Sequence, residues 1–320
     1  MALHLVTGGA GFIGSNLVKA LATAGERVRV VDDLSTGYWE NLDDLRGSTA
    51  VEGIIADIRD PEAMNRAAAG VDVIFHQAAL GSVPRSIEAP VASDSVNTNG
   101  TVTVLDAARH NGVRRVVFAA SSAAYGDTPT LPKREDMPIA PLSPYAVTKV
   151  ADELYMKVFA SLYGLETVCL RYFNVFGPNQ RPDGAYAAAI PRFFWSAIHG
   201  EPLTVFGDGE QTRDFCYVDN AVSANLLAAT TSRKLCGDVM NIAGGRRISL
   251  NDLIAQIGRV LGTSPKVKYD PPRLGDVRDS LADISRAKEL IGYEPKLRWE
   301  DGLPATADYL RVLAGPRGAR

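Results

Sequence analysis

Residues 7–14, TGGAGFIG, impose the strongest constraint on what this chain can fold into. They hold Gly8, Gly11 and Gly14 at the spacing G-x-x-G-x-x-G, directly after the apolar run LHLV that begins at Leu3. Glycines at this spacing let a chain turn sharply from a strand into a helix and bring backbone N–H groups against a pyrophosphate. The motif therefore predicts that the chain opens with a strand, a dinucleotide-binding turn and a helix.

Short apolar runs alternate with amphipathic stretches through the first 175 residues. Helices are predicted near residues 12–24, 61–69, 100–111 and 143–163, the last with Ser143 as its N-cap and Gly164 as its stop. Strands separated by helices indicate βαβ units and a parallel sheet covered on both faces. After residue 175 loops rich in glycine, proline and arginine take over, and residues 238–243 resemble a strand that returns to the sheet.

We therefore predict an α/β fold of the Rossmann type, with a doubly wound parallel sheet. A dinucleotide-binding domain is expected over residues 1–175, together with the returning strand. A smaller, discontinuous C-terminal substrate domain is expected over residues 176–320.

Composition narrows the functional class. The chain has 320 residues, of which 46% are hydrophobic, and a net charge of -3. This charge argues against a nucleic-acid or membrane-surface protein, because both usually need a basic face. Cys169, Cys216 and Cys236 match no zinc or redox spacing. The sequence shows no leader before Leu3 and no apolar run of about 18 residues, so we expect a cytoplasmic protein with reduced thiols.

Two aspartates follow strand-like runs on the dinucleotide side. Asp32 ends the second run, where a carboxylate can accept hydrogen bonds from the adenosine ribose. Its charge would repel a 2′-phosphate, so NAD is expected rather than NADP. Asp57 follows the third run and is a candidate partner for the adenine amine, with a solvated turn carboxylate as the alternative.

Tyr145 and Lys149 form the pattern Y-x-x-x-K, which places both side chains on one helix face. A phenol has a pKa of roughly 10, but a nearby ammonium and an oxidised nicotinamide favour the phenolate, so Tyr145 can serve as a base. The pattern alone also fits a surface pair. Ser121 ends the strand before this helix, where ligands of parallel sheets bind. Ser121 is thus predicted to hydrogen-bond a substrate hydroxyl or carbonyl while Tyr145 takes its proton.

These motifs resemble the extended short-chain dehydrogenase/reductase family. TGGAGFIG, HQAA, AASS, YAVTK and RYFNVFGP match its pattern over essentially the whole chain. HQAALGSVPRSI, LSPYAVTK, GAYAA and GDGEQTRDFCYV are further similar to the nucleotide-sugar 4-epimerases, above all to those that accept UDP-N-acetylhexosamines.

The resemblance implies three sets of site residues. The catalytic set is Ser121, Tyr145 and Lys149. The NAD-binding set is Gly8, Gly11, Phe12, Ile13, Gly14, Asp32, Asp57, Ile58, Gln77, Ala78, Ala79, Asn97, Tyr145, Lys149 and Tyr172, with Phe173 near the nicotinamide. The UDP-sugar-binding set is Ser82, Ser122, Asn174, Val205, Phe206, Arg213, Arg273, Asp276 and Ser280. No metal is expected.

Within the substrate set the resemblance implies a division of labour. Asn174, Arg213 and Arg273 would bind the diphosphate, because guanidinium groups match phosphate oxygens in geometry. Val205 and Phe206 would line the uracil pocket. Asp276 would hold the uridine ribose.

The implied reaction inverts C4 without net oxidation. Tyr145 removes the C4 hydroxyl proton as hydride passes to NAD, the 4-keto sugar turns about its diphosphate, and hydride returns to the opposite face. Resembling 4,6-dehydratases carry an Asp-Glu pair at this strand end, and UDP-glucuronate decarboxylases carry a Glu. This chain has Ser122, Ala123 and Ala124 there, so elimination and decarboxylation lose support. A dTDP-sugar reductase would usually prefer NADPH, which Asp32 disfavours.

The sugar is predicted from one small residue. Ser280 falls where some UDP-galactose epimerases have a bulky Tyr and broader relatives have a small side chain, so UDP-GlcNAc/UDP-GalNAc is expected as substrate, with UDP-Glc/UDP-Gal. Arg181 is a departure, because Arg-Pro-Asp at this place also occurs in UDP-glucuronate epimerases, although these tend to have Thr at the position of Asn174. UDP-glucuronate 4-epimerase is therefore the alternative, ahead of a decarboxylase, a dehydratase or a non-catalytic dinucleotide-binding protein.

Helices near residues 98–110 and 145–163 carry apolar residues beyond one face. The resemblance implies a homodimer through a four-helix bundle that they build. Burial of both helices against the sheet alone is the alternative.

Overall fold

The computed structural model describes residues 1–182, 188–272 and 277–315. Its strands are β1 Leu3–Thr7, β2 Arg27–Asp32, β3 Val51–Ile55, β4 Val73–His76, β5 Arg115–Ser121, β6 Glu166–Tyr172, β7 Val175–Phe176, β8 Leu203–Phe206, β9 Thr212–Asp214, β10 Cys216–Tyr217, β11 Cys236–Ile242, β12 Arg247–Ser249 and β13 Val267–Asp270. Its helices are α1 Phe12–Thr23, α2 Pro61–Ala68, α3 Val83–Glu88, α4 Pro90–Asp94, α5 Gly100–His110, α6 Pro144–Tyr163, α7 Ala189–Ile198, α8 Val218–Thr230, α9 Leu250–Leu261, α10 Ser285–Ile291 and α11 Trp299–Ala314. Short 3₁₀ segments cover Trp39–Leu45 and Ser122–Tyr125, and a π-helical segment covers Ser95–Asn99.

A parallel sheet forms the centre of the molecule, in the order β3-β2-β1-β4-β5-β6-β11. The chain moves outward from β1 to β3, then crosses back to β4 on the other side. This reversal between β1 and β4 is the switch point at which doubly wound sheets bind ligands, beyond the carboxyl ends of the strands. The predicted Rossmann-type fold is confirmed.

Successive strand residues point to opposite faces of the sheet, and each face has its own hydrophobic core. Val6, Phe75 and Val117 belong to the core that faces α1 and α8. Leu5 and Ile74 belong to the core that faces α2, α5 and α6. Both faces are covered, which explains why the strands are apolar runs rather than alternating ones.

Local signals fix α6, which carries two of the predicted site residues. The Ser143 hydroxyl accepts a hydrogen bond from the Ala146 N–H at 3.2 Å, so it caps the helix at the predicted residue. Gly164 ends the helix with φ 70, a left-handed conformation that glycine adopts without strain. These caps place Tyr145 in the first helical turn and Lys149 in the next.

A smaller layer follows β7. It contains the parallel pair β8–β13, the antiparallel pair β9–β12, and the mutually packed helices α7, α9 and α11. Between its parts the chain returns to the sheet, because α8 packs on α1 and β11 pairs in parallel with β6. The return therefore begins with α8, upstream of the strand predicted near residues 238–243.

Candidate active site

A cleft of about 620 Å³ lies over the switch point of the sheet. Its walls come from the β1–α1 turn, the loops after β2, β4, β5 and β6, the first turns of α6, and the segment around residue 280. The volume is within the range of small-molecule and cofactor sites.

The glycine-rich turn forms the floor at one end of this cleft. Gly8 has φ 67, and a Cβ there would lie 2.7 Å from the backbone of Ala78. A Cβ at Gly14 would lie 2.1 Å from the Gly8 carbonyl oxygen. The N-cap residue of α1 is Gly11, so the helix has no side-chain cap, and its first turn contains no acidic residue. Its first N–H groups are therefore available to an anion, and the turn fits the pyrophosphate of NAD.

Asp32 lies at the end of β2, in the same part of the cleft. Its two carboxylate oxygens accept hydrogen bonds from the N–H groups of Ala10 and Leu34, both at 2.9 Å. Burial raises the pKa of Asp32, and these backbone N–H groups oppose the rise. The carboxylate is held by backbone on one side and lines the cleft on the other, which suits it to accept from ribose hydroxyls.

A buried hydrogen-bond network supports the opposite end of the cofactor region. The Tyr172 hydroxyl donates to Gln77 Oε1 at 3.2 Å and accepts from Asn225 Nδ2 at 2.7 Å. Gln77 Nε2 in turn donates to Asn225 Oδ1 at 3.1 Å. Burial raises the pKa of Tyr172 to about 12, so its phenol stays neutral and acts as a fixed wall.

The structure brings Ser121, Tyr145 and Lys149 together at the cleft. The Ser121 hydroxyl accepts from the Ala123 N–H at 3.2 Å, which begins the 3₁₀ segment and turns the chain beside Tyr145. Burial raises the pKa of the Tyr145 phenol, and a hydrogen bond from Ser121 lowers it. Lys149 Nζ donates to the Ala119 carbonyl at 2.9 Å and lies 4.5 Å from the centre of the Phe118 ring.

A phenol, a hydroxyl and a buried amine at one place are the groups that a proton-transfer site needs. Removing the proton from a substrate hydroxyl needs a base close to it and a positive charge that favours the phenolate. Tyr145 and Lys149 supply these two features. Ser121 is placed to hydrogen-bond the same substrate oxygen.

Asn174 and Ser280 form the wall on the substrate side. Asn174 has φ 36, an uncommon conformation for a residue other than glycine, and such strain concentrates at functional sites. Its Nδ2 donates to Ser280 Oγ at 3.1 Å and to the Asp214 carbonyl at 3.0 Å. Ser280 Oγ also accepts from the Asp214 N–H at 3.2 Å. The Ser280 side chain is thus held in place at a buried wall of the cleft.

A second cavity of about 270 Å³ adjoins the first. Val205 and Phe206 line it, and Asn174 and Arg213 line both cavities. A long ligand can therefore pass from the cleft into this cavity alongside an amide and a guanidinium group.

Several predicted site residues lie beside the cleft rather than on its surface. Asn97 is buried behind it and accepts from the Leu80 N–H at 2.8 Å. Asp57 pairs with Arg59, whose hydrogen bonds lower the Asp57 pKa. Ser82 caps α3 by accepting from the Arg85 N–H. Arg273 and Asp276 lie outside the described residues.

Arg181 occupies an unexpected place. Its guanidinium carbon lies 3.9 Å from the centre of the Tyr38 ring. Tyr38 follows the loop that encloses Asp32, since a Cβ at Gly37 would lie 2.8 Å from an Asp32 carboxylate oxygen. The neighbouring Gln180 lines the cleft, whereas Arg181 stacks on Tyr38 and is not among the residues that line it.

The cleft also contains residues that the sequence did not single out. They include Asp33, Ser35 and Thr36 after β2, Leu80 and Val83 after β4, and Lys133, Gln180, Val277 and Asp279. The residues after β2 directly follow Asp32, so proximity in sequence was a usable signal. No such signal exists for Lys133, because a β-bridge to Ala282, a residue distant in sequence, brings it to the cleft.

In the part of the chain that the structure describes, no three His, Cys, Asp or Glu side chains are grouped so as to hold a metal ion. The helices of that part are too short or too polar to span a bilayer.

Sequence comparison agrees with this geometry. A model of the family described as "NAD dependent epimerase/dehydratase family" matches residues 4–243. The UDP-glucose 4-epimerase of Mycolicibacterium smegmatis is 40% identical over 309 residues, which cover 96% of this chain and 98% of that protein.

Solved structures show the same likeness. The UDP-N-acetylglucosamine 4-epimerase from Methanobrevibacter ruminantium, in complex with UDP-N-acetylmuramic acid, has a TM-score of 0.93 at 38% identity, with 98% of this chain and 99% of that chain covered. The UDP-glucuronic acid 4-epimerase from Bacillus cereus, in complex with UDP-glucuronic acid and NAD, has a TM-score of 0.91 at 32% identity, with 97% and 99% covered.

Fold and site together define an extended short-chain dehydrogenase/reductase. The chain belongs to the NAD-dependent epimerase/dehydratase family. It is an enzyme, and NAD is its cofactor.

Proposed function

We propose that the chain is a UDP-hexose 4-epimerase that interconverts UDP-GlcNAc and UDP-GalNAc, and also UDP-Glc and UDP-Gal. One observation carries the reaction type: Ser121, Tyr145 and Lys149 meet at a strand end where the next side chains are Ser122, Ala123 and Ala124. Elimination or decarboxylation needs a second acid or base near C5. The first three residues of the 3₁₀ segment present only a hydroxyl and methyl groups there, and the phenol of its last residue, Tyr125, donates to Asn241 Oδ1 at 2.7 Å.

When bound, NAD supplies a hydride acceptor at C4 of the sugar and later returns the hydride. Tyr145 takes the C4 hydroxyl proton, and Ser121 orients that oxygen by a hydrogen bond. Lys149, which is 3% exposed, contributes its positive charge from the wall of the cleft. After the sugar turns, Tyr145 gives the proton back to the C4 oxygen, so the same base serves both half-reactions.

The proposed substrate breadth depends on Ser280. Its hydroxyl is fixed by Asn174 and Asp214, so the wall at this point is small and does not move aside. An N-acetyl group can occupy the space that a larger side chain would fill. The likeness to the UDP-N-acetylglucosamine 4-epimerase, at 38% identity, supports the same assignment.

UDP-glucuronate is the second candidate substrate. The likeness to the Bacillus cereus UDP-glucuronic acid 4-epimerase supports it. Arg181 gives it less support than the sequence suggested, because its guanidinium stacks on Tyr38 rather than lining the cleft.

Three parallel incubations test the proposal. Purified enzyme is given UDP-Glc, UDP-GlcNAc or UDP-GlcA, and initial epimerisation rates are compared. We expect the UDP-GlcNAc rate to equal or exceed that of UDP-Glc, and both to exceed that of UDP-GlcA. A dominant UDP-GlcA rate would replace the substrate assignment, and product without C4 inversion would overturn the reaction type.

Two variants make the test specific. Ser280→Tyr should abolish turnover of UDP-GlcNAc while retaining that of UDP-Glc, whereas Ser280→Ala, the matched control, should retain both. Equal losses on both substrates in Ser280→Tyr would refute the size argument. Tyr145→Phe should reduce kcat by at least about 10²-fold, as removal of a general base does.

We further propose that the residues predicted to bind NAD and UDP-sugar act in those roles, over a sheet domain and a smaller substrate domain. A homodimer through α5 and α6 is proposed as well. Val147, Leu154 and Leu162 are 53%, 58% and 69% exposed and form an apolar stripe along α6. A cytoplasmic location is proposed, where the unpaired Cys236 would remain reduced.

A further inference from the structure

Asp152 is a fully buried carboxylate behind the catalytic residues. It lies on α6, three residues after Lys149 and seven after Tyr145, so all three side chains share one helix face. Its exposed fraction is 0%. Among the described residues, neither of its carboxylate oxygens has a hydrogen-bond partner at normal geometry. A buried carboxylate without a direct partner is costly, so its presence calls for a reason.

The charged and polar groups around Asp152 come from four elements. They are Tyr145, Lys149 and Glu153 on α6, Asp94 on α4, Thr101 on α5, and Cys169 on β6. Glu153 is committed to an ion pair with Arg171 at 2.7 Å, and Asp94 is exposed to solvent. Burial raises the pKa of Asp152, and the Lys149 charge is the largest influence that lowers it again, so Lys149 is the cation that Asp152 faces in the interior.

Lys149 needs a negative charge nearby to keep its proton. Its Nζ donates to the Ala119 carbonyl and lies against the Phe118 ring, and it makes no direct ion pair within the described part of the chain. Burial lowers the pKa of Lys149, and the Asp152 carboxylate is the largest influence that raises it again. Without an anion at Asp152, the buried amine would lose its proton more easily.

A hydrogen-bond chain leads from Thr101, beside Asp152, to the cofactor turn. Thr101 Oγ1, the polar group facing Asp152, lies 3.0 Å from His76 Nε2, and His76 Nδ1 lies 2.7 Å from Thr7 Oγ1. Burial lowers the pKa of His76 to about 3, so the ring stays neutral and donates through one nitrogen only. An anionic Asp152 selects one polarity of this chain, in which Thr7 donates to His76, His76 to Thr101, and Thr101 towards Asp152.

We propose that Asp152 is a positioning residue of the reaction, the buried counter-ion that keeps Lys149 charged while Tyr145 gains and loses its proton. This inference rests on the proposed role of Tyr145 as the base. Asp152 touches neither substrate nor NAD, and it acts only through the two side chains on its own helix face.

The charge of Asp152 determines the direction in which the pKa values of its neighbours should change. A carboxylate raises the pKa of every group near it, here both Tyr145 and Lys149. Asp152→Asn removes the charge but keeps the shape. Both pKa values should then fall. The acidic limb of the kcat profile, which follows Tyr145, and the alkaline limb, which follows Lys149, should therefore both move to lower pH. A purely structural residue would lower kcat without moving the limbs.

Two measurements test this. We expect both limbs of the pH–kcat profile of Asp152→Asn to shift to lower pH by half a unit or more. We also expect the Tyr145 phenolate to form at lower pH in the NAD-bound protein, measured as the ultraviolet absorbance difference between each protein and its Tyr145→Phe counterpart. Asp94→Asn, which removes an exposed carboxylate facing the same residue, is the matched control and should change neither.

Unchanged limbs and an unchanged phenolate midpoint in Asp152→Asn would overturn the inference, as would an equal shift in Asp94→Asn. If Asp152→Asn does not fold, Thr101→Val replaces it. This variant removes the hydroxyl that favours the anion and should shift the phenolate midpoint in the same direction; no shift would again overturn the inference. The absorbance titration needs no substrate, so its result does not depend on the proposed epimerase activity. Failure of the proposed function would instead appear as wild-type-like turnover by Tyr145→Phe.

Discussion

Replacing Gly14 by alanine should expel NAD while leaving a folded protein. The added Cβ would lie 2.1 Å from the Gly8 carbonyl oxygen and 2.8 Å from the Gly9 Cα. Both neighbours are backbone atoms, so they cannot rotate away as a side chain would. Real Cβ contacts essentially never fall under 3.0 Å, and the turn must therefore open by about 1 Å at its tightest point.

The magnitude follows in two parts. Overpacking costs about 1–3 kcal/mol, and replacing a helical glycine returns about 1 kcal/mol, so the folded state loses at most about 2 kcal/mol. The free energy of NAD binding should change more than the free energy of folding. Charge-assisted hydrogen bonds to a phosphate need N···O distances of about 2.7–2.9 Å, and each contributes roughly 1.5–3 kcal/mol. Losing two of them should weaken NAD binding by at least about 10²-fold.

The assay is the NAD content of the purified protein after denaturation, together with a calorimetric titration of NAD. Gly112→Ala is the control. It forces alanine to adopt φ 65, with nothing within 4 Å of the new Cβ, which should cost roughly 1–2 kcal/mol of stability and leave NAD bound. Normal NAD affinity in Gly14→Ala would refute the reasoning that this glycine sets the shape of the turn.

Three further outcomes are expected. Glu153→Gln removes the partner of the buried Arg171 guanidinium and should lower the free energy of unfolding, measured in urea, by about 3 kcal/mol. Asp106→Asn, which breaks an exposed pair with Arg109, should lower it by less than about 1 kcal/mol. Equal losses in the two variants would contradict the burial argument. Folding lowers the pKa of His76 to about 3, so acidification from pH 6.5 to 4.5 protonates this histidine only in the unfolded chain. The free energy of unfolding of the wild type should therefore fall by about 2–3 kcal/mol more than that of His76→Gln over that range. Equal falls in the two proteins would refute a neutral His76. Leu154→Lys on the apolar stripe of α6 should yield monomers by light scattering while Val312→Lys on α11 does not, and dimers in both would exclude this face.

The part of the site that local sequence determines was predictable. The glycine turn, Asp32 at its strand end, and the pair Tyr145 and Lys149 each depend on residues a few positions apart. Their geometry follows from strand, turn and helix rules alone. The capping of α6 by Ser143 is predictable for the same reason, since its hydrogen bond closes within three residues.

The remaining site residues meet through distant segments, and no local pattern encodes them. Asn225 reaches Gln77 across 148 residues, and Asn174 reaches Ser280 across 106. Arg181 illustrates the same gap, because its motif suggested a substrate carboxylate but could not indicate where the loop places the guanidinium. Asn179 Nδ2 donates to Ser15 Oγ at 3.0 Å, which ties this loop to α1, and the arginine stacks on Tyr38.

The order of the strands has a consequence for synthesis on the ribosome. The first strand made, β1, becomes an interior strand of the sheet, but β11, the strand that covers β6, is made only after much of the smaller layer. Until Cys236–Ile242 emerges, the nascent sheet exposes the Glu166–Tyr172 edge, whose residues are almost all buried in the finished protein. Unpaired apolar edges recruit other chains. Translation pauses or truncations before residue 236 therefore favour aggregation, whereas chains that continue past residue 242 close the edge from within.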